Sequence, residues 1–228
     1  MTQRPVVVSI GGSVIAPDEV QAEPVAELAN TLDEEVQAPM AIVVGGGAAA
    51  RDYIGASRDL GLDEAGLDEV GIAITRANAW LMIAALGTSA YPEPAEDFRE
   101  AINGLQDYSR VCMGGTHPGH TTDAVAAMLA ERLSADRLVV ATNVDGVYDA
   151  DPAEDPKAQR LERIDHDELV RLAGRAREAG STAIVDPLAT QILRRSRMPA
   201  AVVDGNEPAN VARALTGAEF SGTRIAAE

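Results

Sequence analysis

Short apolar runs alternate with longer amphipathic ones along this chain of 228 residues. Five runs are rich in valine and isoleucine and end in glycine or a polar turn, as buried parallel strands do: PVVVSI, MAIVVGG, SRVCMGG, RLVVATNV and PAAVVDG. Helical spacing marks the segments EPVAELANTLDEEV, ARDYIGASRDLG, DEVGIAITRANAWLMIAALG, TTDAVAAMLAERL, DHDELVRLAGRAREAG and PLATQILRRSR. Strands that alternate with helices predict an α/β sandwich with a mostly parallel central sheet. We expect one folded domain over residues 1–228, with ligands at the carboxyl ends of the strands.

Three of the predicted strands end in glycine clusters, which lie in SIGGSV, VVGGGAAAR and CMGGTHPGHTTD. Glycine lets the backbone approach an anion closely, and the N-terminus of the following helix adds partial positive charge. One such turn is explained equally well by tight chain reversal, but three at one sheet edge favour an anion site. None of them is a Walker A motif, because no Gly-Lys-Ser/Thr follows at the required spacing, and none is a Rossmann fingerprint. A fourth turn, TNVDGVYDADPAEDP, follows the next strand and has the composition of a β-turn and loop.

The charge balance limits the classes of partner. Asp and Glu number 36 against 19 Lys and Arg, a net charge of -17, which argues against nucleic acid and against anionic membrane surfaces. The chain lacks a signal-peptide pattern and an uninterrupted apolar run of about 18 residues, so we expect a cytoplasmic protein. The one cysteine, Cys112, is expected in the core. The acidic composition, with Lys157 as sole lysine, fits a halophilic protein in a salty cytoplasm, or compositional drift in a GC-rich genome.

The four turns together resemble one known family. The elements GGS, GGG…R, GGTHPGHTTDA and TNVDGVYDADP, in this order and spacing, are similar to the amino acid kinase superfamily and, within it, to the archaeal branch of the UMP kinases. The resemblance covers essentially the whole chain. It implies a three-layer αβα domain whose N-terminal half binds mainly the phosphate acceptor and whose C-terminal half binds mainly ATP. It also implies ATP-dependent phosphorylation of UMP to UDP with Mg²⁺, in pyrimidine nucleotide biosynthesis, by a homohexamer.

The resemblance assigns residues of the turns to two ligands. The residues that it places at ATP are Gly12, Ser13, Gly47, Arg51, Thr142, Asn143, Tyr148 and Asp151. Those that it places at UMP are Gly46, Asp68, Thr116, His117, Pro118, Gly119, His120, Thr121 and Thr122. No protein ligand for a metal ion is predicted.

Two charged residues are the candidates for catalysis. A nucleoside monophosphate is already an anion near neutral pH, because its second pKa lies near ~6, so the reaction needs charge neutralisation rather than a general base. Arg51, one helical turn after the glycines, is the first candidate, and a solvated surface arginine is the alternative. Many superfamily kinases carry a lysine where this chain has Ser9. In them the TTD aspartate organises basic groups, which makes Asp123 the second candidate, with Arg51 or a metal-bound water as its partner.

The remaining candidates have simpler alternatives. His117 and His120 have a His-x-x-His spacing, but the intervening Pro-Gly and the lack of a third ligand nearby disfavour a metal site. We expect Thr121 and Thr122 to cap the next helix beside the acceptor phosphate, and the histidines to contact the ligand or only to shape the turn. Asp68, at the predicted helix start, suits both ribose hydroxyls, or merely the helix dipole. Lys157 matches no motif.

Two other functions stay open at this point. A related kinase, such as one for isopentenyl phosphate, would need an apolar pocket wall, whereas Asp68 and the Thr/His turn are polar. A nucleotide sensor or oxyanion store without turnover is the alternative of another class, because the lysine is missing. ADP release that depends on UMP distinguishes an enzyme from a binding protein.

Overall fold

The computed structural model describes residues 3–150, 155, 157–178 and 184–226. Its helices are α1 (Gly12–Ile15), α2 (Ala22–Glu35), α3 (Gly47–Asp59), α4 (Glu64–Leu86), α5 (Phe98–Asp107), α6 (Thr122–Leu133), α7 (His166–Glu178), α8 (Pro187–Ser196) and α9 (Pro208–Thr216). Its strands are β1 (Val6–Ile10), β2 (Met40–Val44), β3 (Arg110–Met113), β4 (Leu138–Thr142), β5 (Arg163–Ile164), β6 (Ala200–Asp204) and β7 (Thr223–Ile225). The five predicted strands are confirmed as β1, β2, β3, β4 and β6. The six predicted helices are α2, α3, α4, α6, α7 and α8, and the predicted end of α7 lies outside the described residues.

The strands form one seven-stranded sheet in the order β3-β2-β1-β4-β6-β7-β5. The first five of these run parallel to one another, whereas β7 is antiparallel to β6 and parallel to β5. From β1 the chain passes to β2 and β3 on one side and then returns to β4 on the other side of β1. The strand order therefore reverses between β1 and β4, and the crevice outside such a reversal is where open α/β sheets bind ligands.

Both faces of the sheet are covered by helices. Side chains of Val6, Val8 and Ile10 belong to a core with α2, α4 and α9, while Val7 on the same strand belongs to a core with α5, α6, α7 and α8. This alternation is the two-residue period of a strand. Cys112 is buried as expected, and burial raises the pKa of its thiol to about 12. The α/β sandwich with a mostly parallel sheet is confirmed.

Two helices begin three or four residues earlier than the sequence predicted. Helix α3 begins at Gly47 rather than at Ala50, and α4 begins at Glu64 rather than at Asp68. The start of α4 is fixed by the Asp63 carboxylate, which accepts the N–H of Gly66 at 2.8 Å and so caps the helix. Asp68 consequently lies in the second turn of α4, not at its first residue.

Helix α4 is the most apolar long helix among the described residues. An 18-residue window within Glu64–Ser89 has a mean hydropathy of 1.4, so this segment is long and apolar enough to cross a membrane by those two criteria alone. In this structure α4 packs against α2, α3, β2 and β3, with Leu67, Met82 and Leu86 buried. Its apolar composition is thus used in the core, and Trp80 on its outer face is 50% exposed.

Candidate active site

The glycine turns after β1 and β2 lie in backbone contact. A Cβ atom on Gly12 would collide with the backbone nitrogen of Gly47, so no side chain fits at this position. Gly47 has a φ of 66°, in the left-handed region that favours glycine, and a Cβ there would collide with the carbonyl oxygen of Ala16. The two turns therefore approach each other as closely as backbone allows.

The turn after β2 has the shape of an anion-binding nest. Gly46 is right-handed helical, with φ -87° and ψ -29°, and Gly47 that follows is left-handed. Successive residues of this kind aim consecutive N–H groups into one concavity. Within the described residues no backbone carbonyl accepts the N–H of Gly46 or Gly47. Because α3 begins at Gly47, the positive end of its helix dipole adds to the nest, so a phosphate group fits here.

A cleft of about 460 Å³ opens beside the nest and collects most of the predicted acceptor residues. The predicted residues that line it are Gly46, Gly47, Arg51, Asp68, His117, Gly119, His120, Thr121 and Thr122. Thr116 and Pro118 belong to the same turn but are not among the lining residues, and the Thr116 hydroxyl is buried without a hydrogen-bond partner in the described part of the chain. The structure thus joins α3, α4 and the turn after β3 around one cavity.

The opening of α6 closes one side of the cleft. Thr121 is the N-cap, because its φ of -74° and ψ of 162° are extended and its hydroxyl accepts the N–H of Ala124 at 3.2 Å. Thr122 is already the first helical residue, so Thr121 alone caps the helix. The exposed rings of His117 and His120 lie 6.3 Å apart between centroids. Asp68 reaches this turn from α4, and its Oδ2 accepts the N–H of Gly119 at 2.7 Å.

The Asp123 carboxylate accepts a side-chain hydrogen bond from Ser9. The Ser9 hydroxyl, fully buried on β1, donates to Asp123 Oδ1 at 2.7 Å. Burial raises the pKa of Asp123 above its ordinary value of 3.8, and the nearby carboxylate of Asp186 raises it further. The hydrogen bonds from the Ser9 hydroxyl and from the backbone of Asp186 oppose both effects. Among the described residues the Arg51 guanidinium forms no ion pair and is exposed in the cleft. The Ser9–Asp123 pair thus ties β1 to the first turn of α6.

The residues predicted for the adenosine part of ATP lie on the other side of β1. Thr142 ends β4, and its carbonyl accepts the N–H of Gly205 at 2.7 Å. Tyr148 donates its hydroxyl proton to Asp145 at 2.8 Å, a hydrogen bond that raises the pKa of the tyrosine. Asp151 lies outside the described residues. Thr142, Asn143 and Tyr148 therefore lie across the strand reversal from the cleft, with α1 between. Gly47 and Arg51, which were also predicted to contact ATP, line the cleft itself.

Sequence reasoning missed several residues that line the cleft, namely Ala50, Ile54, Gly71, Ile72, Thr75 and Gly115. Thr75 is the informative one, because it is a polar residue that is only 7% exposed in an apolar helix. Together with Asn78, one turn further along α4, it stands out as a polar residue at a core position. That pattern was present in the sequence and points to a role in the site.

Comparison with known proteins agrees with this geometry. The profile of the amino acid kinase family matches residues 4–204 of the chain. The crystal structure of the uridylate kinase from Archaeoglobus fulgidus superposes with a TM-score of 0.88 at 44% identity, over 97% of this chain and 99% of that one. The chain therefore belongs to the amino acid kinase family.

Two sequence relatives narrow the class. The chain is 48% identical over 215 residues to a uridylate kinase of Natronomonas pharaonis, covering 93% of this chain and 94% of the relative. It is also 48% identical over 226 residues to a uridylate kinase of Haloarcula marismortui, covering 98% of this chain and 99% of the relative. Such identity over nearly the full length confirms the resemblance to the uridylate kinase branch of the family.

Proposed function

We propose that the protein is a uridylate kinase that transfers the γ-phosphoryl group of ATP to UMP, yielding ADP and UDP, in pyrimidine nucleotide biosynthesis. One observation carries the proposal: the nest at Gly46 and Gly47, the Arg51 guanidinium and the Asp68 carboxylate border a single cleft. Uridylate kinases with 48% identity to this chain support the choice of substrate.

The acceptor, UMP, occupies the cleft in this proposal. The free Oδ1 of Asp68 accepts hydroxyls of the ribose, while its Oδ2 keeps the hydrogen bond to Gly119. The turn from Thr116 to Thr122 holds the rest of the nucleotide with His117, Pro118, Gly119, His120 and Thr121. The nest and Arg51 then lie where the attacking phosphate meets the γ-phosphoryl group, with Gly46 at the former and Gly47 and Arg51 at the latter.

The donor, ATP, lies across the strand reversal, with Thr142, Asn143, Tyr148 and Asp151 at its adenosine part and Gly12, Ser13 and Gly47 at its phosphates. An oxygen of the UMP phosphate attacks the γ-phosphorus, the bond from that phosphorus to the β,γ-bridging oxygen breaks, and ADP leaves. Since the nucleophile is already ionised, no proton has to be removed first. Arg51 and the backbone N–H groups neutralise charge on the phosphoryl group as it moves.

Mg²⁺ accompanies ATP in this proposal. It is bound in proteins by one or two carboxylates together with phosphate and water oxygens. Asp123 and Asp186, at the N-termini of α6 and α8, offer such carboxylates, and their mutual repulsion would be relieved by a cation. The donor set therefore fits the ion, which would screen the phosphate charges.

The oligomeric state, the cellular location and the classes of partner are part of the same proposal. We infer one αβα domain that assembles as a homohexamer, acts in the cytoplasm at high salt, and uses neither nucleic acid nor membrane as a partner. The net charge of -17 supports the expectation that neither nucleic acid nor membrane is a partner, since anionic polymers and surfaces are repelled.

A panel of acceptors tests the proposal. ADP release in a coupled assay with ATP and Mg²⁺ is expected with UMP and at most weakly with CMP, dTMP, AMP or isopentenyl phosphate. Preferred turnover of isopentenyl phosphate would identify the related kinase instead. Tight UMP binding without turnover of any acceptor would identify a nucleotide-binding protein.

A further inference from the structure

Helix α4 carries two buried polar side chains that hold the glycine turns on either side of the cleft. The Asn78 side-chain nitrogen donates to the carbonyl oxygens of Gly45 at 2.8 Å and of Gly46 at 3.1 Å. The Thr75 hydroxyl accepts the N–H of Gly115 at 2.8 Å and donates to the carbonyl of Ile72 at 2.7 Å. Asn78 is 3% exposed and Thr75 is 7% exposed, so both side chains are almost fully buried.

Asn78 determines which way the peptides of the nest point. A peptide group is planar and trans, so its C=O and N–H point in opposite directions. With the carbonyls of Gly45 and Gly46 held on the Asn78 side, the N–H groups of Gly46 and Gly47 point away from it. The Gly46 carbonyl also accepts the N–H of Ala50 at 3.3 Å, which ties the same peptide to the first turn of α3. The orientation of the two nest donors thus depends on one buried amide.

Thr75 determines where the turn after β3 lies. A Cβ on Gly114 would collide with the Thr75 hydroxyl, and a Cβ on Gly115 would lie 2.9 Å from Ile72 Cγ1, so α4 touches this turn directly. Asp68, on the same helix, binds the same turn again at Gly119. One rigid helix therefore contacts the turn after β2 and the turn after β3, and its geometry sets the distance between them.

We propose that Asn78 and Thr75 are positioning residues for phosphoryl transfer, where Asn78 aims the nest N–H groups at the phosphate and Thr75 fixes the acceptor turn relative to the nest. The inference rests on the proposed kinase function. It predicts different kinetic effects for the two residues. Misaimed nest donors lower kcat, because they act on the moving phosphoryl group, whereas a loosened acceptor turn raises the KM for UMP.

Variants of matched shape provide the test. Asn78→Leu removes the amide donor, keeps the branching at Cγ, and is expected to lower kcat by roughly 10- to 100-fold, with smaller changes in either KM. Asn78→Asp, which replaces the donor by an acceptor, should show the same loss and serves if the leucine variant does not fold. Thr75→Val is expected to raise the KM for UMP by roughly tenfold and to leave the KM for ATP unchanged. Thr75→Ser, which keeps the hydroxyl, should have the wild-type KM for UMP.

A variant in the same helix controls for stability. Met82→Ala creates a cavity in the core one turn beyond Asn78. It should lower the thermal midpoint without a selective effect on kcat or on the KM for UMP. Folded Asn78 variants with the kcat of wild type, or a Thr75→Val variant with the wild-type KM for UMP, would overturn the positioning roles. An inactive wild type would instead refute the kinase function, so the two failures are distinguishable.

Discussion

Arg51 is the cationic side chain that we assign to the moving phosphoryl group. It lies one turn after the nest in α3, exposed in the cleft. Arg51→Ala should lower kcat by roughly a hundredfold, because a preorganised charged donor is lost. The affinities for ATP and UMP should fall less, since the backbone N–H groups and Asp68 still bind the ground state. Steady-state kinetics at saturating Mg²⁺ measures both effects.

Lys157, the only lysine of the chain, provides the control for this experiment. It is exposed on a loop where its backbone N–H donates to the Asp155 carboxylate at 2.9 Å. Lys157→Ala should leave kcat almost unchanged. If Lys157→Ala had a strongly reduced kcat and Arg51→Ala had a kcat near that of wild type, the assignment of the catalytic charge would be wrong.

Asp68 should act on substrate affinity rather than on the chemical step. Its Oδ2 is engaged by the N–H of Gly119, so Oδ1 remains for the ribose hydroxyls. Asp68→Asn removes the negative charge and one acceptor, and the KM for UMP should rise several-fold while kcat and the KM for ATP stay close to wild type. A variant with unchanged KM for UMP and reduced kcat would contradict a role in holding the ribose.

Individual residues were predictable only where a motif marked them. The resemblance named nine of the residues that border the cleft, from Gly46 to Thr122. It did not supply the contact between Ser9 and Asp123, which are 114 positions apart and meet only because α6 packs on β1. Thr75 and Asn78 were overlooked, since a polar residue in an apolar helix shows its purpose only once its backbone partners are known.

At the scale of elements, the N-terminus of α6 should make stability depend on pH. Burial raises the pKa of Asp123 above 3.8 in the folded state, so the folded protein binds this proton more tightly than the unfolded chain does. Ionising Asp123 therefore destabilises the fold as pH rises from below 3.8 through the higher folded pKa.

An asparagine at position 123 cannot ionise, so the variant Asp123→Asn tests this pH dependence. The thermal midpoint of Asp123→Asn minus that of wild type should increase as pH rises from about 4 to about 7. Because all other groups are shared, the difference isolates this carboxyl group. A difference that stays constant, or that decreases with pH, would show that the environment of Asp123 does not favour its protonated form.

Elements were predictable where burial leaves a continuous apolar run. The strands β1, β2, β3, β4 and β6 are buried on both faces, and each was identified. The strands β5 and β7 have only two and three residues, too few for any period to appear. Helix α5 was missed because glycine disfavours helix, yet a Cβ on Gly104 would lie 2.9 Å from Val111 Cγ2, so close packing on β3 requires it.

At the scale of the whole molecule, the net charge of -17 should make stability depend on salt. Carboxylates that repel one another across the surface are screened when the Debye length falls from roughly 10 Å at 0.1 M to roughly 3 Å at 1 M ionic strength. The thermal midpoint should therefore rise from low to molar KCl, and again in NaCl. The same midpoint at both concentrations would show that surface repulsion contributes little to the stability of this fold.

The central claim is that the cleft beside the nest turns over UMP with ATP. The most direct measurement is the release of ADP and the formation of UDP by the wild-type protein in Mg²⁺ and ATP, with and without UMP. We expect ADP release that depends on UMP and is matched mole for mole by UDP. Equal ADP release in the presence and absence of UMP, or none in either case, would contradict it.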